Sequence, residues 1–271
     1  MFQESFPLTD KTCFLYGNPQ PSHLLIQPVG AQDLSGGLEK EVSCLEKMAG
    51  EDFLLAAFEI RSWNQELSPW ETPPVWGTEA FGNGAPETLD FILEAFLPEL
   101  KRRFSLSSEL PVILGGYSLA GLFSLWAAYQ TDVFSGIAAV SPSVWFPGWM
   151  EYALSHPIKT NRIYLSLGDK EERTKNQTMK TVGDNLRKLY QHYSAPGSVL
   201  SRTEEIHHPQ PEEQPSTRHF LLSCTLEWNP GGHFQHPEER TAQGFAWSMK
   251  QLSALSLARI KEAASIIRQP P

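Results

Sequence analysis

The chain has 271 residues, a formal net charge of -9 and an isoelectric point near 5.4. This length can bury a sizeable core, and the even composition favours one α/β domain over residues 1–271. The acidic balance disfavours nucleic acid and anionic membranes as partners. Because the start carries no basic segment and no apolar run reaches about eighteen residues, we expect a cytoplasmic protein without a membrane partner.

The cysteines and histidines do not form a recognisable ligand pattern. Cys13, Cys44 and Cys224 are odd in number, far apart and without CxxC spacing, which argues against a disulfide framework and against a zinc site. No HExxH motif occurs, and the histidines lack ligand spacing. We therefore expect no metal.

Strand and helix patterns alternate along the chain. Short apolar runs closed by turn residues predict strands, and apolar residues at helical spacing predict helices. The predicted strands are 13–16 at a sheet edge, 23–27, 53–58, a segment from 111, 136–140, 162–167 and 220–228. The predicted helices are 38–48, 86–100 with Pro86 at its start and Pro98 near its end, 119–129, 176–190, 238–252 and 255–267, and residues 201–218 are a predicted surface loop.

This alternation predicts an α/β fold with a mostly parallel sheet and helices on both faces. Ligands of such sheets bind beyond the carboxyl ends of the strands. A long segment at that edge, residues 59–85, carries Trp63, Trp70, Trp76 and Phe81. We interpret it as a pocket wall, since four large aromatic residues argue against disorder, although the rings could instead pack the loop onto the body.

The segment from Gly116 to Ala120 joins a predicted strand to a predicted helix at a corner that carries Ser118. Small residues two before and two after the serine allow the strand and the helix to approach, which is the GxSxG nucleophile-elbow pattern with alanine in the last place. The N–H of Leu119 starts the helix and is free to face an oxyanion. Ordinary strand-to-helix turns share this composition, so the pattern needs support from other residues.

Support comes from an acid and a histidine that follow later strands. His233 comes after two glycines that let the chain turn, and the order serine, acid, histidine is that of α/β-hydrolases. Asp169, Glu171 and Glu172 all follow one strand, and Asp169 could cap the turn instead. The residues alone leave the acid open.

Three motifs carry a family resemblance: Gly-Tyr-Ser-Leu-Ala-Gly at 116–121, Ser-Leu-Gly-Asp-Lys-Glu at 166–171 and Gly-Gly-His-Phe at 231–234. They resemble the esterase branch of the α/β-hydrolase superfamily, which holds enterochelin-esterase-like enzymes, feruloyl esterases, S-formylglutathione hydrolases and mycolyltransferases. The resemblance covers roughly residues 20–253, followed by a helical extension at about 254–268. It implies Ser118 as nucleophile, Glu171 as acid, His233 as base, an eight-strand-type sheet in which outer strands can be missing, and ester hydrolysis without a cofactor.

One segment departs from that branch. Members of that branch carry His-Gly after the strand that corresponds to residues 24–27, and the loop there supplies the second oxyanion N–H. At this place the present chain reads Gln27-Pro28-Val29-Gly30. Since proline has no N–H, we expect the second donor to be Val29 or a neighbour.

These patterns predict a serine esterase that acts on a small-molecule ester through an acyl-enzyme. Trp63, Trp70, Trp145 and Phe146 are the candidate substrate-binding residues, because apolar walls suit an aromatic or other hydrophobic group. The alternatives are a binding protein that keeps this fold without turnover, an acyl transferase and a serine peptidase.

Overall fold

The computed structural model describes residues 2–195, 199–203 and 217–267. Within these residues most strands join one sheet, and two strands form a separate antiparallel pair. The sheet contains β1 Phe2–Leu8, β2 Lys11–Gly17, β3 Leu24–Val29, β4 Leu54–Glu59, β5 Val112–Tyr117, β6 Gly136–Val140, β7 Arg162–Gly168 and β10 Ser223–Asn229, and the separate pair is β8 Val199–Thr203 with β9 Thr217–Leu221.

Helices cover both faces of the sheet. They are α1 Ala31–Leu34, α2 Gly37–Ala49, α3 Trp63–Glu66, α4 Ala85–Asp90, α5 Leu97–Phe104, α6 Leu119–Gln130, α7 Trp149–Ser155, α8 Val182–Tyr193 and α9 Pro237–Ile267. A π-helical segment, Phe91–Phe96, joins α4 to α5. None of the described helices combines the length and the apolar character that a membrane crossing requires.

The sheet order is β1-β2-β4-β3-β5-β6-β7-β10, and all pairs from β4 to β10 are parallel. Successive strand residues point to opposite faces, so each strand contributes to two cores. Leu25 and Leu55 belong to the core shared with α2 and α9, whereas Ile26 and Ala56 belong to the core shared with α6 and α8. The prediction of a mostly parallel sheet between two helical layers is confirmed.

The edge of the sheet differs from the prediction. The strand predicted at 13–16 is β2, and it is not an edge strand because β1 pairs along its outer side from Phe2↔Gly17 to Leu8↔Lys11. The outer strands are therefore present. β1 has three polar residues in a row, from Gln3 to Ser5, and contains Pro7, features that an edge strand tolerates but that do not resemble a buried strand.

Three predicted boundaries also change. The helix predicted from Pro86 to residue 100 begins at Ala85, as expected, but continues to Phe104, so Pro98 lies inside the helical stretch, just after the π-helical segment. The helix predicted at 176–190 begins at Val182, since the Asn176 side chain accepts hydrogen bonds from the next amides and forms a turn. Residues 201–203 and 217–218 of the predicted loop are in strands, and 204–216 lie outside the described residues.

Two buried polar side chains meet between α2 and β3. Gln27 and Glu41 are each about 4% exposed, and Gln27 Nε2 donates to Glu41 Oε2 at 3.0 Å. The remaining side-chain oxygens of this pair, Gln27 Oε1 and Glu41 Oε1, have no hydrogen-bond partner among the described residues. Burial raises the pKa of Glu41 from 4.5 to about 8, the hydrogen bond from Gln27 lowers it, and the charges of Asp33 and Glu238 raise it. Glu41 is therefore mostly protonated at neutral pH.

This pair predicts a pH-dependent stability. Because the folded pKa of Glu41 lies above the unfolded value of 4.5, its stabilisation is full below pH 4.5 and is lost as pH rises to about 8. The slope should be about 1.4 kcal/mol of unfolding free energy per pH unit in that window. Glu41→Gln, which mimics the protonated acid, should remove this slope and be more stable than the wild type at pH 8.5.

Urea unfolding at pH 5, 6.5 and 8.5 measures both effects. Glu39→Gln, on the exposed side of α2, is the matched control and should keep the wild-type slope. Parallel pH dependences for the wild type and Glu41→Gln would contradict a protonated Glu41.

Candidate active site

Ser118 occupies the corner between β5 and α6. Its backbone has φ 59° and ψ -120°, a conformation that costs a non-glycine residue on the order of 1–3 kcal/mol. Two backbone hydrogen bonds hold this conformation. The Ser118 N–H donates to the Val140 carbonyl at 3.0 Å, and the Ser118 carbonyl accepts from the Ser143 N–H at 3.0 Å. The turn is so tight that a Cβ on Gly116 would lie 2.6 Å from the Cβ of Ala120. The small residues are therefore a steric requirement.

The structure brings Ser118, His233 and Glu171 together from three separate strand ends. His233 Nε2 lies 3.0 Å from Ser118 Oγ, and His233 Nδ1 lies 2.7 Å from Glu171 Oε2. The histidine side chain is 28% exposed and the glutamate side chain 5% exposed. A hydroxyl, an imidazole and a buried carboxylate joined in this order have the geometry of a nucleophile, a base and an orienting acid.

The other two acids after β7 have different partners. Asp169 Oδ1 accepts a hydrogen bond from the backbone N–H of Gly231 at 2.8 Å, so it fixes the segment before His233. Glu172 pairs with Arg187 on the surface. Of the three candidate acids, Glu171 is the one that contacts the imidazole.

The segment after β10 turns His233 toward the sheet. Gly231 has φ 103°, a value that glycine adopts readily and other residues rarely do. Gly232 N–H donates to Gln235 Oε1 at 2.7 Å, and the His233 carbonyl accepts from the Tyr117 hydroxyl at 2.7 Å. The histidine is thus held by its backbone as well as by its ring.

Of the two predicted oxyanion donors, Leu119 is well placed and Val29 is not. The N–H of Leu119 starts α6 next to Ser118 and donates no hydrogen bond to the described residues. Val29 continues β3 and pairs with Glu59 of β4, and its carbonyl accepts from Ile60 N–H at 2.8 Å. Since the N–H and C=O of a strand residue point the same way, the N–H of Val29 faces β4. We therefore withdraw Val29 as the donor.

The predicted aromatic wall divides into packing residues and partly exposed ones. Phe146 is 2% exposed, and its ring packs edge-on against Phe81 and Trp70, 5.2 and 5.8 Å between centroids. Trp70 also donates from Nε1 to the Pro147 carbonyl at 2.9 Å. Phe146 is therefore a packing residue, whereas Trp70 joins the 59–85 segment to the body while its side chain stays partly exposed. Trp145, which packs near Phe81, is partly exposed.

Two further aromatic residues keep exposed surface on segments that follow strands of the sheet. Trp63, at the start of α3, is partly exposed and lies over Gly30, where an added Cβ would come within 3.3 Å of its ring. Phe234 is 88% exposed and stands edge-on to the His233 ring, 5.2 Å between centroids. Phe234 was not predicted as a site residue, although its position directly after the histidine was a usable signal.

Other contacting residues were also missed from the sequence. Ser141 Oγ donates to Glu171 Oε1 at 2.8 Å, and Ser143 Oγ lies 3.4 Å from Ser118 Oγ. Both follow β6, so their place at the carboxyl edge of the sheet could have identified them. Tyr117 stands inside the elbow motif itself. Arg240, which contacts Glu171 from α9, is a buried basic residue near a helix start, and no motif marks it.

No described group of three or more His, Cys, Asp or Glu side chains is arranged to hold a metal ion. The cysteines are not bonded to one another. Burial raises the pKa of Cys13 to about 12 and also raises the pKa of Cys224. These two thiols are therefore poor nucleophiles at neutral pH.

Comparison with solved structures shows the fold. The chain is similar to the siderophore hydrolase EstA from Aspergillus nidulans, with a TM-score of 0.62 and 18% identity over 93% of this chain and 94% of that one. It is also similar to an IroE-like serine hydrolase from Shewanella oneidensis, with a TM-score of 0.62 and 14% identity over 90% and 79% of the two chains. The enterobactin esterase FES from Shigella flexneri gives a TM-score of 0.58 and 12% identity over 93% and 59%.

These likenesses confirm the α/β-hydrolase fold. No curated protein matches the chain. A family model described as "Putative esterase" matches residues 60–202, which is more than half of the chain and includes the serine corner and Glu171. The chain therefore belongs to this esterase family and is a carboxylic-ester hydrolase.

Proposed function

We propose that the protein hydrolyses its ester through an acyl-enzyme formed on Ser118, with His233 as the base and Glu171 as the orienting acid. One observation carries the proposal: the hydrogen bonds of 3.0 and 2.7 Å connect Ser118, His233 and Glu171 in sequence. A serine hydroxyl alone is a weak nucleophile, and a base within hydrogen-bond reach is what activates it. The strained, partly exposed corner at Ser118 supports the same role.

The chemistry follows from these contacts. His233 Nε2 takes the Ser118 proton as Oγ attacks the ester carbonyl carbon, and Glu171 Oε2 holds the Nδ1–H and stabilises the imidazolium. The tetrahedral oxyanion accepts from Leu119 N–H. Nε2 then gives its proton to the departing alkoxide. Water attacks the acyl-enzyme in the same way and releases the acid, which restores Ser118.

The second oxyanion donor follows from the hydrogen bonds after β3. Pro28 has no N–H, and Gly30 N–H already donates to Asp33 Oδ2 at 2.8 Å. The next amides, of Ala31 and Gln32, begin α1 and donate no hydrogen bond to the described residues. We assign the second donor to this pair in place of Val29.

We further propose that the ester carries an aromatic or other hydrophobic group. Trp63, Trp145 and Phe234 each keep an exposed part of the ring on segments that follow the strand ends. Such rings form apolar walls that recognise flat, apolar groups. The names of the similar structures, a siderophore hydrolase and an enterobactin esterase, make aromatic siderophore esters a rational first set of substrates. Nucleic acid and membranes are not partners in this proposal.

Ser118→Ala tests the nucleophile. Activity on p-nitrophenyl butyrate should fall by at least about 10⁴-fold, because losing the nucleophile removes the covalent path. Labelling by a fluorophosphonate probe should disappear, whereas Ser155→Ala, at an exposed serine of α7, should keep both signals. Equal activity in the wild type and Ser118→Ala would contradict the acyl-enzyme, and no turnover or labelling in either would favour a binding protein.

Glu171→Gln and Asp169→Asn form a matched pair that tests the acid. Glu171→Gln should lower kcat by about 10³ to 10⁴-fold, because the imidazole loses its orienting carboxylate. Asp169→Asn keeps an oxygen acceptor for Gly231 N–H and should lower kcat by less than about tenfold. Steady-state kinetics on one ester measures both, and the opposite ranking would make Asp169 the acid.

Phe234→Ala tests the substrate class. The KM for p-nitrophenyl benzoate should rise about five- to tenfold, while the KM for p-nitrophenyl acetate should change little, because the acetyl group cannot use a ring contact of about 1 kcal/mol. Val133→Ala removes another exposed apolar side chain at the amino end of β6, opposite the site, and serves as the control. Equal changes for both esters would argue against an aromatic contact at Phe234.

A further inference from the structure

Arg240, the fourth residue of α9, connects groups that the proposed triad requires in fixed positions. Its side chain is only 3% exposed. Nη1 donates to Glu171 Oε1 at 3.2 Å and to the Tyr117 hydroxyl at 3.0 Å, while Nη2 donates to the Pro230 carbonyl at 2.9 Å. A guanidinium presents five N–H donors in a rigid planar fork, so it can fix several acceptors relative to one another.

The first of these acceptors is the carboxylate of Glu171. Its Oε1 accepts hydrogen bonds from Ser141 Oγ, Gly168 N–H and Arg240 Nη1 at 2.8, 2.7 and 3.2 Å. Oε1 is thereby saturated, and Oε2 is left for His233 Nδ1. Three donors from three different segments allow the carboxyl group only one orientation.

The other two acceptors control the segment that carries His233. Pro230 begins this segment directly after β10, and its carbonyl is bound by Arg240. The Tyr117 hydroxyl accepts from Arg240 and donates onward to the carbonyl of His233 at 2.7 Å. The Arg240 guanidinium therefore contacts Glu171 and Pro230 directly. It reaches the backbone of His233 indirectly, through the Tyr117 hydroxyl.

The position of Arg240 is unfavourable apart from these contacts. It lies in the first turn of α9, where the helix dipole disfavours a cation, and α9 there otherwise carries the acids Glu238 and Glu239. A buried guanidinium also loses its hydration and requires a paired charge. The contact with Glu171 supplies that charge.

We infer that Arg240 is a positioning residue for ester hydrolysis: it sets the orientation of Glu171 and, through Pro230 and Tyr117, the place of the His233 ring. The inference rests on the proposed triad. It differs from a purely structural ion pair because it requires the directional fork and not only the positive charge.

Arg240→Lys separates the two roles, since lysine keeps the charge but cannot bond three acceptors in one plane. We expect kcat for p-nitrophenyl butyrate, per active site titrated by fluorophosphonate, to fall about 10- to 100-fold, because small displacements of catalytic groups cost about this much. KM should stay within about twofold. Arg187→Lys, at a surface arginine that pairs with Glu172, is the control and should leave kcat unchanged.

Tyr117→Phe provides a second variant that removes only one hydroxyl and keeps the Arg240–Glu171 pair. Its kcat should fall about three- to tenfold, and the double variant should be no slower than Arg240→Lys alone, since both substitutions disrupt one network. If Arg240→Lys does not fold, the kcat of Tyr117→Phe is the measurement that tests the positioning role of Arg240.

An Arg240→Lys variant with the wild-type kcat would overturn the inference. If that variant does not fold, a wild-type kcat in Tyr117→Phe would overturn it instead. So would strictly multiplicative losses in the double variant. Ser118→Ala keeps this outcome distinct from a failure of the proposed function: if Ser118→Ala is inactive while Arg240→Lys is fully active, the triad stands and only the role of Arg240 is lost.

Discussion

Parallel strands end at the same edge of a sheet, and every group of the proposed site depends on that geometry. β5 leads to Ser118, β6 to Ser141 and Ser143, β7 to Glu171, and β10 to His233. These four strands are consecutive neighbours in the sheet. Residues separated by more than a hundred positions in sequence therefore meet within hydrogen-bond distance, and the backbone ladders fix their spacing before any side chain contributes.

The site concentrates features that are unfavourable elsewhere in a protein. Ser118 and Ser141 both have positive φ, and Glu171 and Arg240 are charged side chains with little exposure. Local strain and buried charge persist only where surrounding contacts compensate for them. Here the compensation comes from backbone donors, from neighbouring hydroxyls and from the mutual pairing of the two charges.

The sequence predicted much of this arrangement, because its strongest signals are local. Apolar runs closed by turn residues located the central strands, and the order of Ser118, an acid and His233 at strand ends located the candidate triad. The choice of Glu171 among the three acids after β7 came from the family resemblance. β1 was missed because it has three polar residues in a row and a proline, so it shows neither an apolar run nor strict alternation. Arg240 was missed since its partners come from other strands and no spacing in the chain points to them.

The two weaker predictions failed for identifiable physical reasons. Val29 was expected to lie in a loop, but β3 continues past Pro28 because the missing N–H of that proline faces β5 and not the ladder with β4. Phe146 was expected to face the substrate, yet a ring in a loop can point inward or outward, and sequence composition does not distinguish the two.

The orientation of Pro28 has a further consequence for the sheet. The β3–β5 ladder ends at Ile26↔Leu114, although β5 continues to Tyr117. The pairing of these two strands therefore ends before the serine corner. Gln27 and Tyr117, which follow the last pair, line a cavity of about 20 Å³ together with Trp63. Because Pro28 offers no N–H toward β5, the hydrogen-bonded pairing of the two central strands ends short of the serine corner.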